Sequence, residues 1–270
     1  MKKILVVIPC YNCADQIGRV ISQFDESIAS FFTKVIVINN LSQDDTEQRA
    51  IDAFKDNPQV SGSVYRSRIN LGYGGSIKVG FQIGLQEGYD FVFVLHGDDQ
   101  GHVKDFMPYI RDDSINDFDC LLGARFHPES KLKNYSIFRA FGNKVFNFLF
   151  SIVLKKKILD SGSGINIYKL SAFSELDFMK FPDNLTFEYC GIMSHSFRKR
   201  KIRFVPITWR EEDQVSNVKL TTQTIQAMKL LFKFALGGKK FLEADKMDCK
   251  GVVYKSYQIY NQEGARSSSK

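Results

Sequence analysis

The sequence predicts an α/β protein with a central, mostly parallel sheet, and two observations support this class. Continuous apolar runs of the kind found in fully buried strands occur at Ile4–Pro9, Lys34–Asn39 and Asp90–Leu95. Segments with apolar residues three or four positions apart, the spacing of an amphipathic helix, lie between these runs. Strand and helix therefore alternate over residues 1–125, the order that builds a parallel sheet flanked by helices.

The elements of the first half follow in chain order. The helix after the first strand has Ile17, Val20 and Phe24 on one face, and the next helix starts at Asp44, where an acidic residue favours a helix N-terminus. The expected order is strand 4–9, helix 14–31, strand 34–39, helix 44–54, strand 61–67, helix 76–86 and strand 90–95.

The second half is less regular but contains the same kinds of element. The expected elements are strand 120–126, helix 138–155, strand 165–170, helix 186–200, strand 202–207 and helix 221–236. The last helix places four apolar residues on one side: Ile225, Met228, Leu231 and Phe232. With no repeat or long linker, residues 1–236 are expected to form one domain. The polar tail, residues 237–270, is expected to be loosely ordered.

The net charge of +7 indicates which partners the chain can attract. Basic residues are concentrated at Lys155–Lys157, at residues 198–203 and at Lys239–Lys240. Such patches attract polyanions, namely nucleotides, nucleic acid or anionic lipid, although each could equally be a solvated helix end. No recognised nucleic-acid-binding module accompanies them, so nucleic acid is not an expected partner.

Cysteine usage and hydropathy indicate the compartment. Cys10 and Cys13 form a C-x-x-C without a second metal-binding pair, which favours a structural role over a zinc or redox site. Scattered cysteines fit a reducing, cytoplasmic compartment. The longest apolar run, Phe146–Leu154, is far shorter than the about 20 residues that span a bilayer. We therefore expect that the chain does not cross a membrane.

Chemistry is expected in the loops at the carboxyl ends of the strands, where open α/β sheets bind ligands. The loop VLHGDDQG, residues 94–101, places Asp98 and Asp99 directly after a buried strand. Two carboxylates and water suit Mg²⁺ or Mn²⁺, with substrate phosphates supplying further oxygens. The alternative is that the pair caps the next helix, which would begin near Val103.

Seven short motifs occur in order along about 200 residues. They are PCYN (9–12), VIVINNLSQDDT (35–46), INLGYGGSIKVGF (69–81), VLHGDDQ (94–100), LLGAR (121–125), DSGSGINIYK (160–169) and VPITWREEDQVSNVK (205–219). Together they resemble the family 2 glycosyltransferases, particularly the branch of dolichyl- and polyprenyl-phosphate sugar synthases. Each motif is short, and their common order makes the resemblance specific.

The resemblance implies a GT-A fold, with residues 1–125 binding a nucleotide-diphosphate sugar and residues 126–236 binding the acceptor. It implies inverting transfer of the sugar to a polyprenyl phosphate, dolichyl or undecaprenyl, with Mg²⁺ or Mn²⁺ as cofactor. A phosphate acceptor is already ionised at pH 7 and needs no strong base. Catalysis would then consist of positioning and charge stabilisation.

The implied site residues fall into four groups. Nucleotide-sugar binding is expected of Pro9, Tyr11, Asn12, Asn39, Asn40, Gly72 and Gly74. Metal binding is expected of His96, Asp98 and Asp99, and a catalytic part of Asp98, Gln100, Arg125, Glu188 and Arg210. The acceptor phosphate is expected to contact Arg139, Ser163 and Lys219. Each arginine could instead be a surface charge.

The chain departs from the family pattern at three positions. Asn39 and Asn40 stand where the family has two aspartates, one of which receives the base of the donor. An amide both donates and accepts hydrogen bonds, so the base preference cannot be carried over. His96 stands in place of the first aspartate of the metal-binding D-x-D. It could ligate a metal through nitrogen or simply bond the backbone at the strand end.

Two other functions remain open. Glu188 stands where enzymes with hydroxyl acceptors carry their base, so the chain could transfer sugar to a hydroxyl of a glycan or lipid-linked glycan. With a phosphate acceptor, Glu188 would instead orient the acceptor loop or favour a helix N-terminus. The three departures would also suit a non-catalytic relative that binds nucleotide or lipid, although the retained Asp98, Gln100, Arg125 and Arg210 argue against it.

Two helices could contact a membrane surface. Helix 138–155 is rich in phenylalanine and ends in lysines, a composition typical of interfacial helices, but the same residues could form core. Helix 221–236 and the residues after it carry four lysines: Lys229, Lys233, Lys239 and Lys240. We therefore expect a cytoplasmic protein, peripheral at the inner face of the membrane, working in cell-envelope glycan synthesis, with a membrane-protein partner as a further expectation.

Overall fold

The computed structural model describes residues 2–173, 178–213, 220–247, 254 and 256–264. Its strands are β1 Ile4–Cys10, β2 Lys34–Asn39, β3 Gly62–Ser67, β4 Phe91–Val94, β5 Cys120–Ala124, β6 Lys131–Lys133, β7 Asn166–Lys169, β8 Ile202–Pro206, β9 Thr208–Arg210 and β10 Ser256–Gln262. Its helices are α1 Ile17–Ser22, α2 Glu26–Ala29, α3 Thr46–Lys55, α4 Gly72–Gln86, α5 Met107–Arg111, α6 Ile137–Leu154, α7 Phe187–Phe197 and α8 Leu220–Glu243. Every strand expected from the sequence is present.

Eight of the described strands form one sheet, in the order β10-β3-β2-β1-β4-β7-β5-β8. The pairs β1–β2, β1–β4, β2–β3 and β5–β8 are parallel, whereas β7 runs antiparallel to β4 and β5, and β10 runs antiparallel to β3. The predicted α/β class with a mostly parallel sheet is confirmed. Both expected parts of the domain contribute strands to this sheet, and the boundary at residue 125 stays a prediction.

The sheet is buried on both faces, which explains why its central strands are continuous apolar runs rather than alternating ones. On one face Val6 packs in a cluster with Ile17 of α1 and Phe54 of α3. On the other face Val7 packs in a cluster with Ile77 of α4. The helices on both sides thus hold the strands, and the carboxyl ends of β1, β2 and β4 face the loops that carry the motifs.

The expected helix over residues 14–31 is divided into two. α1 ends at Ser22. Asp25 then adopts an extended conformation, and its carboxylate accepts a hydrogen bond from Ser27 N at 3.0 Å. This cap begins α2, because a side-chain acceptor satisfies a backbone N–H that has no partner within the helix.

The C-terminal part differs from the sequence-based expectation. α8 continues past residue 236 to Glu243, with a non-helical residue at Gly238 (φ 47°). Ser256–Gln262 then adds a strand to the edge of the sheet instead of lying in a loosely ordered tail. Gln262 anchors this strand, because its side-chain amide donates hydrogen bonds to the backbone carbonyls of Phe54, Asn57 and Val60 at 2.9–3.1 Å.

Many apolar side chains of α6 and α8 are exposed, whereas those of a core helix are buried. In α6 the buried residues are Phe146, Asn147 and Phe150. The alternative that the phenylalanines of this helix form core is therefore correct only for Phe146 and Phe150, which lie on one narrow side of it. Of the four apolar residues expected on one side of α8, three are partly or largely exposed: Ile225, Met228 and Phe232. In the described part of the chain, α6 is also the one helix long and apolar enough to cross a membrane, judged by length and composition alone.

Candidate active site

The loops after β1, β2 and β4 meet at one edge of the sheet. Asn40 N donates to Cys10 O at 2.9 Å, and Asn12 N donates to Ser42 Oγ at 3.0 Å. These bonds join the first two loops. Gly97, in the third loop, packs so closely on the first that a Cβ atom there would lie 2.3 Å from Cys10 Sγ. The three motif-bearing loops therefore form one continuous surface.

His96 is held between two aromatic rings. It lies edge-on to Tyr73 and Trp209, at centroid distances of 5.7 and 5.9 Å. Nε2 lies 3.4 Å from Tyr73 Oη, and the imidazole also forms a hydrogen bond with the backbone of Gly164. Burial lowers the pKa of His96 from its ordinary 6.5, so the ring is neutral at pH 7. Its Nδ1 is turned towards Asp98, with 4.0 Å between Nδ1 and Oδ1.

Asp98 is the carboxylate that faces His96 across this gap. Its Oδ1 accepts a hydrogen bond from Gln100 N at 3.2 Å. Burial raises the pKa of Asp98 above its ordinary value, and His96 and the N–H of Gln100 oppose that rise. The loop geometry thus leaves an imidazole nitrogen and a carboxylate oxygen facing the same space.

These two groups are a partial donor set for a divalent cation. Within the described residues no group of three His, Cys, Asp or Glu side chains could hold a metal ion, so substrate oxygens and water would have to complete the coordination. A metal-binding histidine commonly has its other ring nitrogen held by a hydrogen-bonding partner, and Nε2 of His96 lies 3.4 Å from Tyr73 Oη. A mixed nitrogen and oxygen set fits Mn²⁺ better than Mg²⁺, which prefers oxygen ligands.

Asp99 has a different role from the expected one. Its Oδ2 accepts a hydrogen bond from Arg19 Nε at 2.9 Å and pairs with Arg210 Nη2, while Oδ1 accepts from Gln23 Nε2 at 3.0 Å. The side chain is 1% exposed. Because both oxygens serve protein donors, Asp99 is an internal counter-ion, and the expectation that it binds the metal is corrected. It does not cap the next helix either, since Val103 N donates to Gln23 Oε1 at 2.9 Å.

Arg210 fastens the metal-site loop to β9. Its backbone N–H donates to Gln100 O at 3.0 Å, and its Nε donates to Asp99 O at 2.8 Å. Together with the ion pair to Asp99, these bonds fold the guanidinium onto the loop. Gln100 contributes to this loop through its backbone N–H and carbonyl. The expected catalytic roles of the Gln100 side chain and of Arg210 stay predictions.

Arg125 is buried and paired. Asp160 accepts hydrogen bonds from Nε at 2.7 Å and from Nη2 at 2.9 Å, and also from the backbone N–H of Arg125. The guanidinium lies 5.0 Å from the ring of Trp209, within cation–π range. Asp160 therefore fixes the plane of the guanidinium, and Nη1 is the nitrogen that Asp160 does not use.

Arg139 is brought to the same region by Glu211, the residue after β9. Its Nη1 donates to both carboxylate oxygens of Glu211 at 2.7 and 2.8 Å, and its guanidinium lies 5.0 Å from the ring of Tyr135. Arg139 Nε and Trp209 Nε1 are buried donors without a hydrogen-bond partner among the residues that the structure describes. Buried donors of this kind are normally hydrogen-bonded, so these two nitrogens are exceptions within the site.

Asn39 and Asn40 both make internal hydrogen bonds. Asn39 Oδ1 accepts from Ser42 N at 2.9 Å, and its Nδ2 donates to Glu47 Oε2 at 3.0 Å. Asn40 Oδ1 accepts from Leu71 N at 2.7 Å, which joins β2 to the start of α4. Asn40 Nδ2 donates to Asn70 Oδ1 at 2.8 Å. A carboxylate in either position could not make both bonds, because it only accepts. Base recognition by these residues stays a prediction.

Gly72 and Gly74 serve close packing. A Cβ atom at Gly72 would lie 2.3 Å from the carbonyl oxygen of Asp183, and one at Gly74 would lie 2.4 Å from that of Pro182. Gly72 also has a φ of +71°, which favours glycine. The glycines let α4 begin against residues 182–183. Close packing is therefore sufficient to explain why positions 72 and 74 are glycines. Their expected contact with the nucleotide sugar stays a prediction.

The remaining residues that are expected to bind the nucleotide sugar lie at the end of β1 and in the loop that follows it. Pro9 belongs to β1 and pairs with Ile38. Tyr11 is partly exposed, and Asn12 adopts a left-handed conformation (φ 54°) with its Oδ1 accepting from Gln43 N at 2.9 Å. Their contact with a nucleotide sugar stays a prediction.

Glu188, in the first turn of α7, is buried behind Tyr73. Its Oε1 accepts from Tyr73 Oη at 2.9 Å, and its Oε2 accepts from Asn166 Nδ2 at 2.9 Å and Tyr168 Oη at 3.2 Å. Burial raises the pKa of Glu188 to about 7, and these hydrogen bonds oppose the rise. Glu188 therefore orients Tyr73, which in turn contacts His96.

Two expected acceptor residues have other outcomes. The hydroxyl of Ser163 is buried and donates to Gly123 O at 2.5 Å, which ties the 160–164 loop to β5. This bond uses the hydroxyl proton that a phosphate would need, so the expected phosphate contact is corrected to a structural one. Lys219 lies outside the described residues.

Sequence reasoning missed several residues that shape the site: Arg19, Tyr73, Asp160, Trp209 and Glu211. Tyr73, Asp160, Trp209 and Glu211 lie inside the quoted motifs, so the motifs themselves were the available signal. Arg19 had none, because it meets Asp99 across 80 residues of sequence.

Curated relatives include an undecaprenyl-phosphate mannosyltransferase from Micrococcus luteus, 23% identical over 218 residues, which are 78% of this chain and 85% of the relative. The structure resembles glucosyl-3-phosphoglycerate synthase from Mycobacterium tuberculosis in complex with Mn²⁺, UDP and phosphoglyceric acid. The TM-score is 0.60 at 16% identity, over 87% of this chain and 79% of that one. It also resembles S. aureus TarS 1-349 in complex with UDP-GlcNAc, with a TM-score of 0.56 at 16% identity over 85% of this chain and 65% of TarS 1-349.

These structural neighbours confirm the expected GT-A fold. The sequence profile described as "Glycosyl transferase family 2" matches residues 5–177, well over half of the chain. This range contains the three loops and six of the seven motifs that gave the resemblance. The chain therefore belongs to glycosyl transferase family 2 and is a glycosyltransferase.

Proposed function

We propose that this glycosyltransferase moves a sugar from a nucleotide-diphosphate sugar to a polyprenyl phosphate, with inversion, at the cytoplasmic surface of a membrane. The observation that carries the proposal is the convergence of arginines on Trp209–Glu211. Trp209 packs on Arg125, Arg210 holds the loop of Asp98, and Glu211 binds Arg139. Each guanidinium is held in place by a carboxylate, and arginines fixed in this way can bind phosphate oxygens with their remaining N–H groups.

The chain's own residues have separate tasks in this reaction. His96 and Asp98 would hold a divalent cation, which neutralises the charge that develops on the diphosphate leaving group. Arg125 and Arg139 lie beyond them, and they would orient the acceptor phosphate oxygen towards the anomeric carbon. Because the phosphate is already ionised, no residue has to remove its proton.

The cation in this proposal is Mn²⁺ or Mg²⁺, with Mn²⁺ favoured by the imidazole ligand. The Mn²⁺ in the glucosyl-3-phosphoglycerate synthase complex supports a divalent cation in a protein of this fold. The mannosyltransferase from Micrococcus luteus, whose name specifies undecaprenyl phosphate, supports a lipid phosphate as acceptor.

A hydroxyl acceptor is the second candidate, and the pKa of Glu188 favours it. A carboxyl group whose pKa lies near 7 is suited to general base catalysis. Against this function, three side chains donate hydrogen bonds to the carboxylate of Glu188. A base engaged in this way would have to exchange a partner for the acceptor hydroxyl.

Glu188→Gln separates the two functions. The variant is assayed with labelled GDP-, UDP- and dTDP-sugars and with either polyprenyl phosphate or the matching polyprenol. With a phosphate acceptor we expect the wild-type rate to fall by less than about tenfold, because only the orientation of Tyr73 changes. A base role predicts a loss of roughly 10²–10⁴-fold. Transfer to polyprenol but not to polyprenyl phosphate would contradict the proposal.

A further inference from the structure

α6 and α8 contact each other, and both carry exposed apolar side chains. The large apolar side chains that are at least about one third exposed on these helices are Ile137, Phe138, Phe141, Val145, Phe148, Ile152, Ile225, Met228, Phe232 and Leu236. We call this set the apolar–basic face. Ile137 and Phe138 are 88% and 86% exposed, and Phe232 is 65% exposed. Scattered exposed apolar residues are ordinary, but exposed apolar side chains along two helices that contact each other indicate an interaction surface.

The exposed side chains of α6 recur at helical spacing. Ile137, Phe141, Val145, Phe148 and Ile152 are three or four residues apart and therefore line one face of the helix. The opposite face is buried against the domain. The helix thus has two apolar faces, one covered by protein and one uncovered.

α6 is fastened along the domain by Asn147. The side-chain Nδ2 of Asn147 donates to Leu159 O at 2.9 Å, and its Oδ1 accepts from Ser161 N at 3.0 Å. Phe146 and Phe150 pack on Tyr189 of α7. A bilayer-spanning orientation would break these contacts, whereas an orientation parallel to a surface keeps them.

The charges around the apolar–basic face are predominantly positive, and Glu243 at the end of α8, which pairs with Lys239, is the one acidic residue on the two helices. Neither the segment 137–159 nor the segment 214–242 contains an aspartate or glutamate. Exposed lysines accompany both helices: Lys144, Lys155, Lys157, Lys229, Lys233, Lys239 and Lys240. An apolar stripe bordered by lysines complements a surface that is apolar inside and anionic outside, which describes an anionic lipid bilayer.

The first turn of α6 links this face to the candidate active site. Ser136 caps the helix by accepting a hydrogen bond from Arg139 N. Within that turn Ile137 and Phe138 point outwards, whereas Arg139 binds Glu211 beside the site. A surface that meets the outward residues would therefore lie next to Arg139.

We propose that the apolar–basic face docks on the surface of an anionic lipid bilayer, with α6 and α8 lying along the membrane. Docking itself needs no particular acceptor. Its use in presenting a lipid phosphate to Arg139 rests on the function proposed above. Each test below measures docking without measuring transfer, so a failure of docking is distinguishable from a failure of the proposed sugar transfer.

Vesicle flotation of the full chain tests the docking. Vesicles of phosphatidylcholine, alone or mixed with phosphatidylglycerol, are floated with wild-type protein and with Phe138→Ser/Phe141→Ser/Phe148→Ser. We expect wild-type protein to float with the anionic vesicles and the triple variant to bind them at least about tenfold more weakly. Ile259→Ser, an exposed apolar residue on β10, is the control and should bind like wild type.

The charge contribution is tested separately. Lys229→Gln/Lys233→Gln should weaken binding to anionic vesicles, and added salt should weaken it in the wild type. The control Lys55→Gln/Lys104→Gln removes two exposed lysines from the other part of the molecule and should have no effect. Thermal unfolding of each variant verifies that the fold is retained.

Three results would overturn the proposal. The first is wild-type protein that does not float with anionic vesicles. The second is equal binding by the triple variant and the Ile259→Ser control. The third is a dimer in light scattering that the triple variant dissolves into monomers, which would assign the face to a second copy of the chain.

Discussion

At the scale of the residue, His96 determines which metal chemistry the site can support. An aspartate in its place would offer an anionic oxygen, whereas the imidazole is neutral at pH 7 and offers a nitrogen lone pair. The contacts of its ring with Tyr73, Trp209 and Gly164 hold Nδ1 towards Asp98. The neighbouring residues thus hold the His96 ring in a fixed orientation, which is consistent with His96 acting as a metal ligand in place of the aspartate of the family.

His96→Asp should change metal preference. In the presence of a nucleoside diphosphate, we expect the wild type to bind Mn²⁺ more tightly than Mg²⁺ and the variant to shift that ratio towards Mg²⁺. His96→Ala should lower Mn²⁺ affinity by at least about tenfold. Electron paramagnetic resonance of free Mn²⁺ measures this without an activity assay. Asp52→Asn removes an exposed carboxylate of α3 and is the control, so its Mn²⁺ affinity should stay within about threefold of the wild type.

The ion pairs that sequence reasoning did not predict join residues that are distant in the chain. Asp99 follows Asp98 directly, but its partners Arg19 and Arg210 lie 80 and 111 residues away. Similarly, Arg125 pairs with Asp160, which lies 35 residues further along the chain. Motif spacing identifies which residue types are present, whereas the ion pairs that engage them depend on the three-dimensional fold.

At the scale of the element, a buried carboxyl group joins a 3₁₀ turn to a neighbouring strand. Asp105, in the 3₁₀ turn Val103–Phe106, accepts a hydrogen bond from Thr208 N of β9 at 2.7 Å. Burial raises the pKa of Asp105 from 3.8 to about 6, and the bonds to Thr208 oppose the rise. The folded protein therefore holds this proton more tightly than the unfolded chain does.

Asp105→Asn should make stability less dependent on pH. A raised pKa in the folded state means that the contribution of Asp105 is most favourable below pH 4 and is lost as the pH rises through about 6. At pH 8 we expect the variant to have a free energy of unfolding higher by roughly 1–3 kcal/mol, and near pH 4 the two proteins should be equal. Urea unfolding at both pH values measures the difference, and an equal difference at both would contradict this assignment.

The edge strand β10 could not be predicted because its sequence is mostly polar. SYQIYNQ gives no continuous apolar run, and its pairing with β3 depends on residues about 190 positions away. By contrast, the central strands are apolar throughout because both faces of the sheet are covered. The same limit applies to α6 and α8, where apolar periodicity did not show which face the domain covers.

Removing β10 should destabilise the protein. A chain that ends at Met247 loses the pairing with β3 and also Tyr254, whose hydroxyl donates to Asp183 Oδ1 at 2.6 Å beside the buried Lys78. We expect the free energy of unfolding to fall by roughly 3 kcal/mol or more. A chain that ends at Gly264 keeps the strand and is the control. Equal thermal midpoints for the two chains would show that β10 contributes nothing.

At the scale of the whole molecule, a series of contacts connects the strand-end loops, the arginines and the apolar–basic face. The strand-end loops hold His96 and Asp98, and β9 connects them to the arginines. Arg139 lies in the first turn of α6, next to the exposed residues Ile137 and Phe138. A nucleotide sugar and a lipid phosphate would thus approach the site from different sides, one from solution and one from the membrane.

The ³¹P and ¹H NMR spectra of the purified product test the central claim most directly. The sugar-nucleotide donor is first identified by thermal-shift screening, and the protein is then incubated with it and a short-chain polyprenyl phosphate. The account predicts that the phosphate monoester becomes a phosphodiester whose anomeric configuration is opposite to that of the donor. A monoester signal that persists while sugar is transferred to a hydroxyl, or a product with retained configuration, would contradict it.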